Sequence, residues 1–271
     1  MRRVFERVEG PDPELQSLVS MLEYFEKEGG KYAPSGFWDS LDRLHVRDLL
    51  AGNYPLFKRT LAFQYFTWLP SLTDVQVRNL APNSSRVAEL GAGYGRLAYV
   101  FLKSEMCKQY VIADIPPALY VSQRYLRVVF PELRFFRFRP FEDFSEVADE
   151  FESSKVCFLT PDQLEHLPAK YFDLFITISS LQEMKMELLS LYISLIDRLT
   201  GGYCYVKQWR EWHNPVDDLT VGYGDYPIPL SWRRIFARRH AVQSGMFEAL
   251  WEVPPKRGRR LTGERPSFTP T

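Results

Sequence analysis

The chain has 271 residues, with 34 basic and 34 acidic side chains, and its formal net charge at pH 7 is zero. This balance gives no overall attraction to nucleic acid or to an anionic membrane, so we expect neither as a partner. Apolar residues make up 45% of the chain and charged residues 25%. That composition is typical of a globular core rather than of disorder, and the length allows one large domain or a domain with an added subdomain.

Cysteine usage and hydropathy bound the protein class further. The three cysteines Cys107, Cys157 and Cys204 are far apart and form no CxxC pair, so we expect neither a zinc site nor a disulfide framework. Cys157 and Cys204 fall within predicted strands and are expected to be core residues. The first residues lack the apolar segment of a secretory signal, and no apolar run approaches transmembrane length. We therefore expect a cytoplasmic protein. The basic segment Lys256–Arg265 predicts a solvated tail first, and a weak anion contact second.

Residues 1–82 predict a helical cap on the substrate side of the molecule. Leucines and aromatics recur at helical spacing in Pro13–Lys27, in Phe37–Leu50 and in Phe57–Leu80, the last broken near Pro70. The third segment carries residues that could line a pocket but are expected first to form a packing stripe: Phe63, Gln64, Tyr65 and Trp68.

From Arg86 onward, short apolar strands alternate with helices. Strands are expected at Val87–Leu90, Tyr110–Asp114, Val156–Leu159, Phe172–Ile178 and Tyr203–Gln208, with an extra strand at Leu133–Phe138 and final strands within His240–Val253. Helices are expected at Arg96–Lys103, Pro117–Val129, Glu142–Phe151 and Met184–Leu199, the last stopped by Gly201-Gly202. The alternation predicts an α/β domain over residues 83–255, with a parallel Rossmann-like sheet, helices on both faces and a tail over 256–271. Ligands of such sheets bind at the carboxyl ends of the strands.

The segment Arg86–Lys103, RVAELGAGYGRLAYVFLK, carries the most informative pattern. An apolar run ends in Glu89, and a helix follows a loop made of Gly91, Ala92, Gly93, Tyr94 and Gly95. Alternate glycines allow a sharp turn and let a ligand approach without meeting Cβ atoms. The dinucleotide fingerprint needs a third glycine where this chain has Arg96, which disfavours NAD. The spacing Glu-x-Gly-x-Gly-x-Gly instead resembles motif I of the class I S-adenosylmethionine (SAM) methyltransferases.

Asp114 ends the next predicted strand, about 20 residues beyond the glycine loop, where related folds place an acid for the ribose hydroxyls. A carboxylate can accept hydrogen bonds from two vicinal hydroxyls, so the residue type suits that place. The following Ile115-Pro116-Pro117 fits a turn that opens a helix. We predict that Asp114 and Ile115 contact the cofactor, with a helix N-cap as the alternative for Asp114.

Across nearly the whole chain, the sequence is similar to a sugar O-methyltransferase family. The resemblance is carried by FKRTLAFQYFTWLP at 57–70, ELGAGYGRLAYV at 89–100, ADIPPALYVSQRYL at 113–126, FDLFITISSLQEM at 172–184 and GGYCYVKQW at 201–209. It implies a class I methyltransferase fold, SAM as methyl donor and a sugar or sugar-containing small molecule as acceptor.

The resemblance also suggests how the adenine is held. In this fold family an acid or amide just past the third core strand commonly meets the adenine amine, which points to Asp162 and Gln163, with Leu164 as an apolar face. A Pro-Asp turn is the alternative for this segment. Ser179, at the end of the following strand, completes the predicted cofactor contacts.

Two residues are candidates for the general base that a poorly nucleophilic sugar hydroxyl requires. Glu183 ranks first, as base or substrate anchor, and its alternative is an ordinary first-turn helix acid. His213 ranks second because a histidine imidazole can act as a base near neutral pH. No dense acidic and histidine cluster requires a metal, and we predict none, although His213, Asp217 and Asp218 could form one.

The acceptor is predicted to contact Gln182, Lys207, Trp209 and Asn214, because amide, ammonium and indole groups suit a polyhydroxylated ligand. Three alternatives stay open at this level. They are a methyltransferase for another acceptor such as a phenol or an amine, a non-catalytic SAM-fold protein that binds partners through its helical part, and the disfavoured NAD-linked enzyme. Homo-oligomerisation is possible.

Overall fold

The computed structural model of the protein describes residues 13–33, 85–240 and 243–254. The predicted helices Phe37–Leu50 and Phe57–Leu80, the packing stripe within the second of them, the domain boundary near 82 and the tail over 256–271 lie outside the described residues. Elements are numbered below in the order in which the described residues form them.

The described residues form one large mixed sheet between helices, which confirms the predicted α/β Rossmann-like class. The strands of this sheet are β1 (Arg86–Leu90), β2 (Gln109–Ala113), β3 (Phe135–Phe136), β4 (Val156–Leu159), β5 (Phe172–Ile178), β6 (Thr200–Trp209), β9 (Arg233–Arg239) and β10 (Met246–Glu252), and the separate hairpin consists of β7 (Glu211–Asn214) and β8 (Leu219–Gly222). The helices are α1 (Pro13–Lys27), α2 (Arg96–Lys103), α3 (Pro116–Val129), α4 (Ala148–Ser153) and α5 (Met186–Leu199).

The order of the strands places a ligand site at one edge of the sheet. The sheet runs β3-β4-β2-β1-β5-β6-β10-β9, and the pairs from β3 to β6 are parallel. From β1 the chain passes through β2 to the edge strand β3, inserts β4 between β3 and β2, and then continues to β5 on the other side of β1. Such a reversal leaves a crevice outside the carboxyl ends of β1 and β5, where open α/β sheets bind their ligands.

The central parallel strands have side chains buried on both faces of the sheet. In β2 and β4 every residue is buried, and β1 is buried from Val87 to Leu90. Continuous apolar runs of this kind belong to strands covered by helices on both sides. The glycine loop, Asp114 and the segment after β4 all follow such strands, so their positions are fixed by well-packed elements.

The C-terminal part of the sheet departs from the parallel prediction. Strand β10 pairs antiparallel with both β6 and β9. Four of the seven residues of β9 are arginines, and this edge strand therefore carries no apolar alternation that the sequence analysis could detect. The hairpin β7–β8 was also missed, because its strands have four residues each.

The predicted role of Gly201-Gly202 is wrong. Helix α5 ends at Leu199, and β6 begins at Thr200, so both glycines lie inside the strand. A Cβ atom built at Gly202 would lie 2.2 Å from the carbonyl oxygen of Asp173. The glycine therefore permits a close backbone approach between β5 and β6, where the register shifts between Phe172 and Leu174.

Boundaries differ elsewhere by short segments. The extra strand predicted at Leu133–Phe138 shortens to Phe135–Phe136, and the helix predicted at Glu142–Phe151 becomes a 3-10 turn at Phe144–Glu146 followed by α4. Helix α5 begins two residues later than predicted, because Leu181–Glu183 forms its own 3-10 turn.

Helix α1, which confirms the predicted helix at Pro13–Lys27, packs on the sheet domain through one apolar face. Leu18, Met21, Leu22 and Phe25 are buried in the common core, at the spacing of one helical stripe. The amide of Gln123 on α3 donates to Ser17 Oγ at 3.4 Å, and the ring of Tyr24 meets Phe138 edge-on at 5.8 Å. Helix α1 therefore joins the domain next to the strands that carry the candidate site.

No helix within the described ranges combines the length and the apolar character that a bilayer-spanning segment needs.

Candidate functional site

The glycine loop adopts the backbone conformation that its glycines allow. Gly91, Gly93 and Gly95 have φ angles of 76°, 57° and 87°, in the left-handed region that side chains other than glycine rarely enter. Gly95 also lies directly before α2, so the loop leads into the helix N-terminus without a Cβ atom in its path. This is the strand, glycine turn and helix arrangement that the sequence predicted.

Gly91 makes the closest approach of the loop to another element. A Cβ atom built there would lie 2.3 Å from Ser180 Oγ and 2.5 Å from Ser180 Cβ. Around Gly93, by contrast, no atom of the residues that the structure describes, beyond its chain neighbours, lies within 4 Å of a built Cβ. The first glycine is therefore required for packing against the segment after β5, and the second presents open backbone at the crevice.

Asp114 is buried beneath the glycine loop, with 7% of its surface exposed. Its Oδ2 accepts a hydrogen bond of 2.7 Å from the Gly93 amide, and its Oδ1 accepts one of 2.8 Å from the Ile115 amide. Each carboxylate oxygen has a second lone pair and can accept a further hydrogen bond. The Asp114 pKa is raised to about 7, chiefly by burial and to a smaller extent by the charge of Glu183, against the lowering effect of these two amides.

Glu89 lies within β1, buried, at the level of the sheet rather than in the loop. Its Oε2 accepts a hydrogen bond of 2.7 Å from the hydroxyl of Tyr110 on β2. Glu89, a predicted cofactor contact, therefore has a hydrogen-bond partner within the sheet, and this bond links β1 to β2.

Asp162 has an unusual environment for a carboxylate. It lies in the 3-10 turn Pro161–His166 after β4 and is 5% exposed. Among the described residues, neither of its side-chain oxygens has a hydrogen-bond partner of ordinary geometry, and the nearby hydroxyls of Thr160 and Tyr24 act against the effect of burial on its pKa. Burial raises its pKa. Because an unsatisfied buried carboxylate costs free energy, the arrangement suits a site completed by a ligand donor.

The neighbours of Asp162 have structural contacts of their own. The amide of Gln163 accepts from the Thr160 backbone at 3.1 Å and donates to the Arg139 carbonyl at 2.8 Å, so it holds the turn in place. Leu164 is fully buried. Of the three residues predicted near the adenine, Asp162 alone offers unused hydrogen-bonding capacity in the described structure.

The end of α1 and the segment that follows it pack against Asp162 and its turn. A Cβ atom built at Gly29 would lie 2.9 Å from Asp162 Oδ1 and 2.2 Å from the ring of Phe25. Burial, and next the charge of Asp162, raise the Tyr24 pKa. The hydroxyl of Tyr32 donates to Glu165 in the same turn as Asp162. Sequence analysis placed no site residue here, because glycine and tyrosine on an amphipathic segment carry no motif.

The turn after β5 brings the predicted acceptor residues next to the glycine loop. Ser179 is exposed and has a φ angle of 54°, and its amide donates to the Lys207 carbonyl at 2.9 Å. The side chain of Ser180 faces Gly91, as described above. The Ser180 amide donates at 3.0 Å to Oε1 of Gln208, a fully buried residue of β6. Ser180 and Gln208 were not among the predicted site residues.

Glu183 ends the 3-10 turn Leu181–Glu183 and reaches the surface. Desolvation by the surrounding protein raises the Glu183 pKa. The negative charge of Glu183 in turn raises the pKa of Asp114. Two carboxyl groups therefore share the crevice edge, one buried at the end of β2 and one exposed after β5. A carboxylate with a raised pKa is better suited to accept a proton near neutral pH.

The remaining predicted residues occupy different environments. Trp209 is 39% exposed at the end of β6 and lies against Trp212, with ring centroids 6.2 Å apart. His213 lies exposed on β7, with Nδ1 3.3 Å from Thr220 Oγ1 and Nε2 3.7 Å from Asp218. Lys207 is 3% exposed within β6, inside the protein rather than at its surface.

Gln182 and Asn214 use their side chains for backbone contacts. Oε1 of Gln182 accepts from the Trp209 amide at 2.8 Å, and Nδ2 of Asn214 donates to the Glu183 carbonyl at 3.1 Å. The structure therefore brings Gln182, Glu183, Trp209 and Asn214 together, next to the glycine loop. His213 lies on the same hairpin as Asn214, but its side chain contacts Thr220 on the paired strand β8.

Two grooves on the described surface lie apart from the glycine loop. One of about 690 Å³ is lined by α2, α3 and Lys155, and one of about 420 Å³ lies between Lys31 and the start of α5. Among residues 13–33, 85–240 and 243–254, no group of three or more histidine, cysteine or acidic side chains could hold a metal ion.

Comparison with known proteins supports the fold. No protein family profile matches the chain, and no curated protein matches its sequence. The PH0226 protein from Pyrococcus horikoshii superposes with a TM-score of 0.50 at 12% identity, covering 70% of this chain and 91% of that one.

Two further solved structures are similar at lower scores. The complex of the Haloferax volcanii Trm112 methyltransferase activator with a protein described as a methyltransferase has a TM-score of 0.49 at 11% identity, covering 73% of this chain and 94% of that one. A SAM-dependent methyltransferase from Mesorhizobium loti has a TM-score of 0.44 at 12% identity, covering 65% and 95%. At these identities the similarity concerns the fold alone.

Proposed function

We propose that this protein is a SAM-dependent O-methyltransferase that transfers a methyl group to a hydroxyl of a sugar or sugar-containing small molecule. The observation that carries the proposal is that two buried carboxylates, Asp114 and Asp162, follow the adjacent parallel strands β2 and β4. Asp114 lies under a loop of three left-handed glycines, and Asp162 has neither oxygen hydrogen-bonded. Asp114 is suited to accept hydrogen bonds from vicinal hydroxyls, and Asp162 is suited to accept one from an amine.

The described residues fit an adenosine-containing cofactor. The free lone pairs of Asp114 can accept from ribose hydroxyls, and Asp162 can accept from the exocyclic amine of adenine. Open backbone at Gly93 gives room for the part of the ligand beyond the ribose. Bound SAM supplies an activated methyl group on a sulfonium. Arg96 at the third glycine position of the dinucleotide fingerprint favours SAM over NAD.

The protein then has to align the acceptor oxygen with the methyl carbon and remove the proton from the hydroxyl. We assign proton removal to Glu183, because it lies within electrostatic range of Asp114 and its pKa is raised by desolvation. His213 is the second candidate for this role. Ser179, Ile115, Ala92 and Tyr94 complete the proposed cofactor contacts, and Glu89 supports the loop from within β1.

A sugar is proposed as the acceptor because an exposed tryptophan stands beside the turn of Glu183. Trp209 and Trp212 offer an aromatic surface on which a sugar ring can stack, and Gln182 fixes the backbone of Trp209. Asn214 and Lys207 lie in the same region, with Lys207 largely buried. We further propose that residues 1–82 contribute to the substrate side, since the described segment 13–33 already lies over Asp162.

Calorimetric titration of the purified protein with S-adenosylhomocysteine, run beside NAD, tests the cofactor assignment. Micromolar binding of S-adenosylhomocysteine alone is expected, as an order of magnitude for a preformed site. A screen with isotopically labelled SAM against neutral sugars, sugar nucleotides, phenols and amines then tests the acceptor. Binding of neither cofactor would contradict the proposal, and methylation of a phenol or an amine would correct its acceptor.

A further inference from the structure

Two glutamines hold the turn of Glu183 against β6 from opposite sides. Gln208 on β6 accepts from the Ser180 amide at 3.0 Å and donates to the Thr177 carbonyl at 3.3 Å. Gln182 in the turn accepts in return from the Trp209 amide at 2.8 Å. Both side chains are buried, so water cannot easily replace either contact.

Asn214 extends the same connection to the hairpin β7–β8. Its Nδ2 donates to the Glu183 carbonyl at 3.1 Å, and its Oδ1 accepts from the Val216 amide at 2.9 Å. The ion pair of Lys185 with Asp217, at 3.2 Å, joins the start of α5 to the hairpin. The backbone of Glu183 is thus held by the hairpin on one side and by β6 on the other.

The turn also rests on the glycine loop. Ser179 adopts a left-handed conformation that is uncommon for serine, which directs the chain so that Ser180 meets Gly91. Gly91 and Ser180 are in such close contact that no Cβ atom fits between them. A ligand that restricts the motion of the glycine loop therefore also restricts the turn of Glu183.

We infer that Gln182, Gln208 and Asn214, here called the amide clasp, are positioning residues that join the glycine loop, the turn of Glu183 and the hairpin β7–β8 into one unit. This inference rests on the proposed function, under which the glycine loop binds the cofactor and the hairpin region binds the acceptor. The clasp then connects the two binding regions. Glu183 is exposed and its 3-10 turn has three residues, so its position depends on the clasp rather than on packing of its own side chain. Cofactor bound at the glycine loop then orders the hairpin before the acceptor arrives.

Hydrogen–deuterium exchange of the full chain without ligand tests the clasp itself. The variant Gln208→Leu removes the hydrogen bonds of that side chain to Ser180 and Thr177, and we expect exchange in 179–184 and in 209–216 to rise at least about fivefold. The matched control is Gln109→Leu. Gln109 is also buried, and its amide donates to the Phe151 and Ser154 carbonyls at 2.6 and 3.1 Å, at the amino end of β2. The control should leave exchange in 179–184 and 209–216 unchanged.

Saturating S-adenosylhomocysteine tests the coupling. In the unaltered protein it should slow exchange in the glycine loop and also in 209–222. In Gln208→Leu it should still protect the glycine loop but no longer protect the hairpin. With an acceptor in hand, Gln208→Leu should lower kcat with little change in the KM for SAM. Gln208→Glu should recover part of the loss, because a carboxylate still accepts from the Ser180 amide.

Each outcome separates the inference from the proposed function. Equal hairpin protection in Gln208→Leu and in the unaltered protein would overturn the coupling, and unchanged ligand-free exchange would overturn the clasp. If Gln208→Leu does not fold, Gln182→Leu, which removes the contact with the Trp209 amide, serves in both measurements. Failure of the unaltered protein to bind S-adenosylhomocysteine would instead contradict the proposed function, and the ligand-free comparison would still decide the clasp.

Discussion

The amide of Gly93 donates to Asp114 Oδ2 at 2.7 Å, which binds the glycine loop after β1 to the acid at the end of β2. Only a residue free to adopt a φ angle of 57° can present its N–H in this way at that point of the loop. The contact fixes the carboxylate before any ligand arrives and leaves a lone pair on each oxygen for one. Preorganisation of this kind reduces the entropic cost of binding.

Replacing Asp114 by Ala should weaken S-adenosylhomocysteine binding by about 1–3 kcal/mol, because it removes a charged acceptor from buried hydroxyls. Calorimetric titration measures the change. Asp173→Ala is the matched control, since Asp173 also accepts from a backbone amide, that of Arg86 at 2.8 Å, but at the amino end of β1 and β5. Affinity equal to that of the control would remove Asp114 from the site.

Binding should also depend on pH through Asp114. Burial raises its pKa from 3.8 to about 7 in the folded protein, so the folded state holds this proton more tightly than the unfolded state does. The contribution of Asp114 to the free energy of unfolding therefore decreases as pH rises between these two values. Ligand hydroxyls favour the ionised carboxylate. S-adenosylhomocysteine should thus bind more tightly at about pH 8 than at about pH 6, with release of a proton.

Titration calorimetry in two buffers of different ionisation enthalpy measures that proton. Asp114→Asn should abolish its release. Glu183→Gln should shift the effect to lower pH, since the charge of Glu183 is one of the causes that raise the Asp114 pKa. An affinity that does not change across this pH range would show that the carboxylate does not bind the ligand.

Asp162→Ala should separate stability from binding. Removing a buried carboxylate without hydrogen-bond partners should raise the free energy of unfolding of the ligand-free protein, or leave it unchanged. Affinity for S-adenosylhomocysteine should nevertheless fall by about 1–3 kcal/mol, because the adenine amine loses its acceptor. Asp162→Asn, which keeps one carbonyl oxygen, should give intermediate affinity. A loss of ligand-free stability would instead mean that Asp162 stabilises the fold.

Gly91→Ala should destabilise the protein by at least about 2 kcal/mol, from the left-handed backbone and the collision with Ser180. Thermal unfolding measures the loss. Gly30→Ala is the control, because a Cβ atom built there comes within 4 Å of no other part of the described chain. Adding Ser180→Gly to Gly91→Ala should recover only part of the stability, since it removes the collision and leaves the backbone strain.

Glu183→Gln should lower turnover by about 10²–10⁴-fold if Glu183 removes the acceptor proton. Affinity for S-adenosylhomocysteine at neutral pH should not decrease. His213→Gln should have a much smaller effect, because His213 lies exposed on β7 beside Thr220. A reversal of these two effects would transfer the role of base to His213.

The sequence determined the elements whose signals are local. Glycines in alternate positions allow a left-handed turn after a strand, and an apolar run ended by Asp114 predicts a buried strand without reference to the rest of the chain. For this reason the predicted strands at β1, β4 and β5 agree with the structure nearly residue for residue. Where the residues gave no local period, as in the arginine-rich β9, sequence reasoning failed.

Only the tertiary structure decided which side chains are free to act. Gln163 and Asp162 are neighbours in one turn and looked equivalent in the sequence. Burial, however, leaves the carboxylate without a partner, while the amide is used by the Thr160 and Arg139 backbones. The sequence did not predict that Gln208 holds the turn of Glu183, because its partner Ser180 is distant along the chain. Hydrogen-bond partners and desolvation depend on contacts between remote segments, and a linear pattern does not contain them.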